Sequence, residues 1–245
     1  MARFFVPKEN IHSARGTIRG QELRHLSRVL RLVPGDSITI FDDTGTEHEA
    51  VIRLLGSEEA EFEIISSRMT QRESPLDLIL ALGLTKGDKM DLVIEKTTEL
   101  GVRRIIPFTS KYSVAKLDPP RAGQRLARWQ RIAVSAAKQS GRTRVPEIVP
   151  VYDFGELLSQ WRSNTFRILL WEKVTGPSLW GAQDRRREAS VLIAIGPEGG
   201  FSVEEAQNAE AEGFELMTLG RRILRAETAA IVAATLAQFL WGDLR

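Results

Sequence analysis

The chain has 245 residues, a net charge of +2 and 42% hydrophobic residues, enough for one large or two modest domains with a buried core. It contains no cysteine, which excludes disulfides, thiolate zinc sites and cysteine nucleophiles. The opening Met1–Glu9 breaks off too early for a signal peptide, and no apolar stretch approaches the ~18 residues of a membrane span, so a cytoplasmic protein is expected.

Residues 1–72 read as a small β-rich module. Phe4-Phe5-Val6 is a short strand, and Leu23, Leu26, Val29, Leu30 and Leu32 predict a helix within Gly20 to Leu32. Pro34-Gly35-Asp36 is a turn into the alternating strand Ser37 to Asp42, and Asp43 to Thr46 is a hairpin turn into Glu47 to Leu55. Ala60 to Ser66 alternates again, so several short strands joined by tight turns suggest a small barrel. The polar stretch Thr70 to Pro75 reads as a linker.

From residue 73 to 245 the rhythm is strand and helix in alternation, an α/β domain with a mostly parallel sheet. Leu76 to Leu84 is apolar enough to be buried on both faces. The helix Asp88 to Leu100 ends at Gly101, a C′ residue. Arg104 to Phe108 is a strand and Pro120 to Gln139 a long basic helix. Ile148 to Val151, Phe166 to Trp171, Val191 to Ile195 and Glu215 to Leu219 supply further strands. Ser202-Val203-Glu204-Glu205 is a capping box, and Glu227 to Trp241 is a helix apolar on almost every side.

Two glycine-marked loops carry the functional signal. Ile195-Gly196-Pro197-Glu198-Gly199-Gly200 follows one buried strand, and Leu219-Gly220-Arg221-Arg222-Ile223-Leu224-Arg225 follows another. Ligands of open α/β sheets sit outside the carboxyl ends of the strands, and glycine lets backbone N–H groups approach them. Neither loop has the Gly-Lys-Ser/Thr or the Gly-x-Gly-x-x-Gly phosphate fingerprint. Arg225, between Leu224 and Ala226, is the first choice for a working residue, and Glu198 is either a base or a support for its loop.

Charge is clustered although the net value is small. Arg103, Arg104, Lys111, Lys116, Arg121, Arg125, Arg128, Arg131, Lys138, Arg142 and Arg144 face only Asp118 and Glu147 in that stretch. Arg3, Lys8, Arg15, Arg19, Arg24, Arg28 and Arg31 form a second cluster near the N-terminus. Such clusters on a near-neutral chain are the footprint of a nucleic-acid partner. The histidines, His12, His25 and His48, all lie away from the glycine loops, which gives a Ser-His-Asp triad little support. No ligand spacing for a metal is present, and Asp42-Asp43 reads as a hairpin turn.

Gly196-Pro197-Glu198-Gly199-Gly200-Phe201, with Leu219-Gly220-x-x-Ile223-Leu224-Arg225-x-Glu227-Thr228-Ala229, resembles the bacterial 16S ribosomal RNA (uracil-N3)-methyltransferases of the SPOUT superfamily. Arg3-Phe4-Phe5-Val6, Lys96 to Val102, and Gln139-Ser140-Gly141-Arg142 with Pro146-Glu147-Ile148 carry the likeness nearly end to end. The resemblance implies S-adenosyl-L-methionine as cofactor, a PUA-like RNA-binding barrel at 1–72, and a methyltransferase domain at 73–245 with a deep trefoil knot. It also implies a homodimer and 16S ribosomal RNA or the small ribosomal subunit as partner, with no membrane and no metal. The cofactor set is then Leu170, Ile195, Gly196, Pro197, Gly199, Gly200, Leu219, Gly220, Ile223, Leu224 and Ala229, with Arg225 and Glu198 as catalytic candidates. The RNA set is Arg3, Arg24, Arg28, Arg31, Lys86, Gln139 and Arg142. Bulk at Gly199 or Gly220 is expected to abolish cofactor binding and spare the fold. Ser110-Lys111-Tyr112-Ser113 and Ser135-Ala136-Ala137-Lys138-Gln139 depart from the family pattern, with Lys111, Tyr112, Ser135 and Lys138 as the changed positions. A ribose 2′-O-methyltransferase and a non-catalytic RNA-binding protein are the rival readings.

Overall fold

The structure, a computed structural model, describes residues 1–113, 119–160, 165–184 and 190–244. Lys116 and Asp118 of the basic stretch lie outside the described residues. The chain divides into two compact units. One is Met1–Glu73 with Ala137–Val145, the other Ser74–Ala136 with Pro146–Arg245. The division differs from a single cut after residue 72, because the last turn of the long helix and the segment after it, Ala137–Val145, belong to the first unit.

In the first unit β1 (Ala2–Phe5), β2 (Ile11–His12), β3 (Arg15–Arg19), β4 (Ser37–Phe41), β5 (Thr46–Leu55) and β6 (Glu59–Met69) form one sheet. Its order is β1-β4-β5-β6-β3-β2, antiparallel except for β1 beside β4. Period-two alternation sends Ile38, Ile40, Ala50, Ile52, Ala60 and Phe62 into one core with Phe4 and Ile18. The expected helix is shorter than its apolar spacing suggests: α1 (Gly20–Arg24) widens into a π-turn over His25–Val29, burying Leu23 and Leu26. Arg31, at φ 53°, turns the chain away. The Asp42 carboxylate accepts from the Thr44 amide (3.1 Å) and hydroxyl (2.6 Å), the turn chemistry expected of this pair.

A Ser-His-Asp series does exist on this sheet. His48 Nδ1 lies 2.7 Å from Ser67 Oγ, and its Nε2 lies 3.4 Å from Asp42 Oδ2. The ring is reversed relative to a hydrolytic triad, where the acid holds Nδ1. The series therefore ties neighbouring strands together. Glu73, expected in a linker, instead anchors the returning segment. Its carboxylate accepts from Arg142 Nε (3.1 Å) and Nη2 (2.8 Å) and from the amides of Thr143 (2.9 Å) and Arg144 (3.1 Å).

The second unit is built on a parallel sheet. β7 (Asp77–Gly83), β8 (Arg104–Thr109), β9 (Glu147–Ile148), β10 (Tyr152–Asp153), β11 (Thr165–Leu170), β12 (Ser190–Ile195) and β13 (Glu215–Met217) all pair in parallel. The order is β10-β8-β7-β12-β11-β13, with β9 also on β8. The central strands are buried on both faces, which is why they read as continuous apolar runs. Helices α2 (Lys89–Glu99), α3 (Pro119–Ser140), α4 (Phe154–Gln160), α5 (Val203–Ala211) and α6 (Ala226–Trp241) connect them. Gly101, at φ +79°, ends α2 as expected. The buried Gln238 of α6 donates from Nε2 to Leu100 O (2.9 Å) and accepts from Ser74 Oγ (2.7 Å). The alanines of α6, among them Ala229, Ala230, Ala233 and Ala234, are buried, and the helix packs on α2 and β7. Among the described residues no helix is long and apolar enough to cross a membrane, and no cluster of His, Asp and Glu could hold a metal ion.

Candidate active site

Strands β12, β11 and β13 are neighbours, and the loops from their carboxyl ends enclose one cavity of about 540 Å³. Sites for small molecules usually span roughly 300–1,000 Å³. Every residue of the expected cofactor set lines this cavity: Leu170 from β11, Ile195 to Pro197 with Gly199 and Gly200 after β12, Leu219 to Leu224 after β13, and Ala229 on α6. Arg225 and Glu198 line it too. The sequence reading missed Trp171, Glu172, Thr218 and Lys89, which line the cavity as well, together with Phe201 and Ala226.

The first loop is shaped by what surrounds its glycines. Gly200 N donates to Pro197 O (2.9 Å), closing a turn with Gly200 at φ +67°. A Cβ on Gly196 would stand 3.1 Å from the Gly200 backbone, and one on Gly199 would stand 2.6 Å from Tyr112 Cβ. From below, a Cβ on Gly83 at the end of β7 would strike Pro197 N at 2.4 Å. Phe201 anchors the far end of the loop, with its ring stacked 6.0 Å from Phe108 and tilted against Phe154 at 5.1 Å. The predicted capping box then starts α5: Glu205 N donates to Ser202 Oγ (3.2 Å) and Ser202 N to Glu205 Oε2 (2.8 Å).

The second loop is more open. Gly220 adopts φ +120°, its amide donates to Thr218 Oγ1 (3.2 Å), and a Cβ there would meet nothing within 4 Å. The two glycines therefore differ. Bulk at Gly199 collides with Tyr112 and disturbs the loop itself, whereas bulk at Gly220 meets open space and strains only its own backbone. This corrects the expectation that both would spare the fold. Arg221, Arg222 and Arg225 are exposed and have no hydrogen-bond or ion-pair partner among the described residues. Arg225 is the N-cap of α6, with φ −66° and ψ 152°, so its backbone leaves the loop as the helix begins. No Arg225–Glu227 pair forms.

Glu198 is held from two sides. Its Oε1 accepts from Lys89 Nζ (2.9 Å) and from the Lys86 amide (3.1 Å). Burial alone would raise its pKa, but the hydrogen bonds from Lys89 and the Lys86 amide outweigh burial and hold the carboxyl below the ordinary range. A carboxylate so stabilised is a weak base and a firm brace.

The RNA set divides. Arg24, Arg28 and Arg31 are exposed and unpaired among the described residues, Gln139 is exposed, and Lys86 is exposed with its amide on Glu198. Arg142 and Arg3 do not fit a phosphate-facing role. The Arg142 guanidinium is buried and bound to Glu73, and Arg3 is bound to Glu47 Oε1 (3.1 Å) and Ala137 O (3.3 Å). Several residues of the central basic stretch are also paired with acids, two of them remote in sequence and one, Glu147, within the stretch. Arg128 pairs with Asp91, Lys138 with Glu22 (2.7 Å), and Arg104 with Glu147.

Comparison with known proteins places this geometry. The RNA methyltransferase domain family matches residues 72–238, and the RNA methyltransferase PUA domain matches residues 18–65. The ribosomal RNA small subunit methyltransferase E of Bacillus subtilis is 32% identical over 253 aligned positions, covering 100% of this chain and 99% of that protein. The chain belongs to the ribosomal RNA small subunit methyltransferase E family. The Synechocystis relative of the same name is 34% identical over 94% of this chain and 75% of its own length. A crystal structure of the Neisseria gonorrhoeae family member bound to S-adenosyl methionine superposes with a TM-score of 0.88 at 37% identity, covering 100% of both chains. The six-stranded sheet of the first unit is accordingly the family's PUA-like sheet, and the second unit carries its parallel sheet.

Proposed function

We propose that this enzyme methylates N3 of one uridine in 16S ribosomal RNA, with S-adenosylmethionine as the methyl donor. The observation that carries the reading is the convergence of three strand-end loops on one glycine-lined cavity with an unpaired arginine at its rim. The cavity fits the cofactor: its glycines leave backbone groups bare where a Cβ would collide with Gly200 or Tyr112. Leu170, Gly196, Gly199, Gly200, Leu219, Gly220 and Leu224 are the residues that would hold it. When bound, S-adenosylmethionine supplies a methyl carbon already activated by a sulfonium.

The protein's task is alignment and charge. Alignment comes from loops fixed by Phe201, Gly83 and the Glu198 brace. As uracil N3 loses its proton, negative charge spreads to the flanking carbonyl oxygens, and Arg225 is free to meet it. Glu198 serves as the loop support, since its carboxylate is already spent on Lys89 and Lys86. Transfer of label from radiolabelled S-adenosylmethionine to 16S ribosomal RNA or small subunits tests the reading. RNA left unlabelled while the cofactor binds would favour a non-catalytic binder.

RNA is gripped, in this reading, mainly by Arg24, Arg28 and Arg31 of the PUA-like unit. Replacing Arg24 and Arg28 by alanine should weaken RNA binding, leave cofactor affinity unchanged, and make the slope of log affinity against log salt shallower by roughly 1–2. Fluorescence anisotropy across a salt series checks this; an unchanged slope would mean these arginines are only solvated.

The resemblance further implies closure of the first sheet into a barrel, passage of α6 through a trefoil knot, and a homodimer. Support for the dimer is the outer stripe of α6, where Ile231, Val232 and Leu236 remain partly exposed beside Phe239. Phe239 stacks on Trp180 (6.0 Å, 10°), which is itself 60% exposed. A symmetric second copy would cover this apolar surface. Sedimentation equilibrium at micromolar concentration should give twice the chain mass, and a monomer would contradict the assignment.

A further inference from the structure

Lys89 was not singled out by any motif, yet it stands where three segments meet. It is the first residue of α2, after the turn that Gly87 makes at φ +64°. It lines the cavity, and its Nζ lies 2.9 Å from Glu198 Oε1 in the loop after β12. The same Nζ lies 3.8 Å from Glu227 Oε2 in the first turn of α6, an ion pair too long for a hydrogen bond. Among the described residues Glu227 Oε2 is buried and accepts no hydrogen bond, and this ammonium is the compensating charge within ion-pair distance of it. We propose that Lys89 is the positioning residue of the cofactor site, one cation holding the Gly196–Gly200 loop against the starts of α2 and α6.

The role of Lys89 rests on the methyltransferase reading and adds a residue to it. The loop glycines have the bare backbone that a ligand needs, and the same freedom leaves them without side chains to fix themselves. Glu198 is the one ionisable side chain of that loop, and both groups it accepts from belong to the segment Lys86–Lys89. Removing the ammonium would leave the Glu227 carboxylate without its ion-pair partner and take from Glu198 one of its two donors, and the movable partner is the glycine loop. The loop would then sample positions that do not match the cofactor, a cost paid on binding.

The test is calorimetric titration with S-adenosylmethionine of wild type, Lys89→Met, Lys89→Arg, Glu198→Gln and the double variant Lys89→Met/Glu198→Gln, with steady-state rates on RNA. Lys89→Met should weaken cofactor affinity about tenfold and raise its KM in step, while kcat at saturation changes by less than about threefold. Lys89→Arg should recover most of the loss, because a cation remains. Glu198→Gln should resemble Lys89→Met, and the double variant should be no worse than either, the mark of two groups acting as one. Should Lys89→Met fail to fold by circular dichroism, Glu198→Gln, expected to lose affinity about tenfold, and Lys89→Arg, expected to keep most of it, decide the assignment. Unchanged affinity in Glu198→Gln, or losses that add independently, would overturn the assignment. A wild-type protein that does not bind the cofactor would overturn the parent reading instead, so the two failures are distinct.

Discussion

Arg225→Ala is expected to lower kcat by about 100-fold or more, with much smaller changes in cofactor affinity and KM. The arginine has no partner to lose among the described residues, and it neither caps α6 by its side chain nor pairs with Glu227. Its removal should therefore cost little stability, and the effect should appear where charge develops. Lysine should rescue only in part, since a point charge lacks the planar fork that can span a carbonyl and a neighbouring acceptor. Single-turnover rates with both substrates saturating decide it. A near-normal rate for Arg225→Ala would remove the residue from the chemical step.

Gly220→Val should abolish measurable cofactor binding, a loss of at least about 100-fold, while the circular dichroism spectrum stays that of the wild type and the strain lowers the melting temperature by roughly 2–12 °C. Two effects combine. Valine at φ +120° is outside the backbone region open to branched residues, and such strain costs on the order of 1–3 kcal/mol. Its side chain would also stand in space that Gly220 leaves open on the cavity wall. Gly199→Val is the less informative partner experiment, because its clash with Tyr112 disturbs the loop directly. Unchanged affinity in Gly220→Val would take the loop after β13 out of the site.

How far the sequence could be read follows from the range of the interactions. The parallel strands announce themselves because burial on both faces leaves only apolar residues, as in Val191 to Ile195. The caps at Gly101 and Ser202 depend on neighbours a few residues away, so they too were legible. Strand β3 was not, since Arg15 and Arg19 are polar and Gly16 is needed against Phe62, whose ring would lie 2.4 Å from a Cβ there. Helix α4 is short and begins Phe154-Gly155, which hides its period.

The site followed the same rule. Its glycines and Arg225 were visible as a local pattern, but the significance of Lys89 comes from Glu198, 109 residues away. Arg142 looked like a phosphate ligand because its partner, Glu73, is 69 residues distant. Charge counted along the chain overstates free charge whenever the acids that neutralise it arrive from elsewhere in the fold.

The central claim is the atom that is methylated. Small subunits or 16S ribosomal RNA lacking the modification, incubated with enzyme and S-adenosylmethionine, should be digested to nucleosides and resolved by mass spectrometry against both standards. The account predicts 3-methyluridine as the new nucleoside, absent with Arg225→Ala. A 2′-O-methylated nucleoside in its place would contradict the base-directed site.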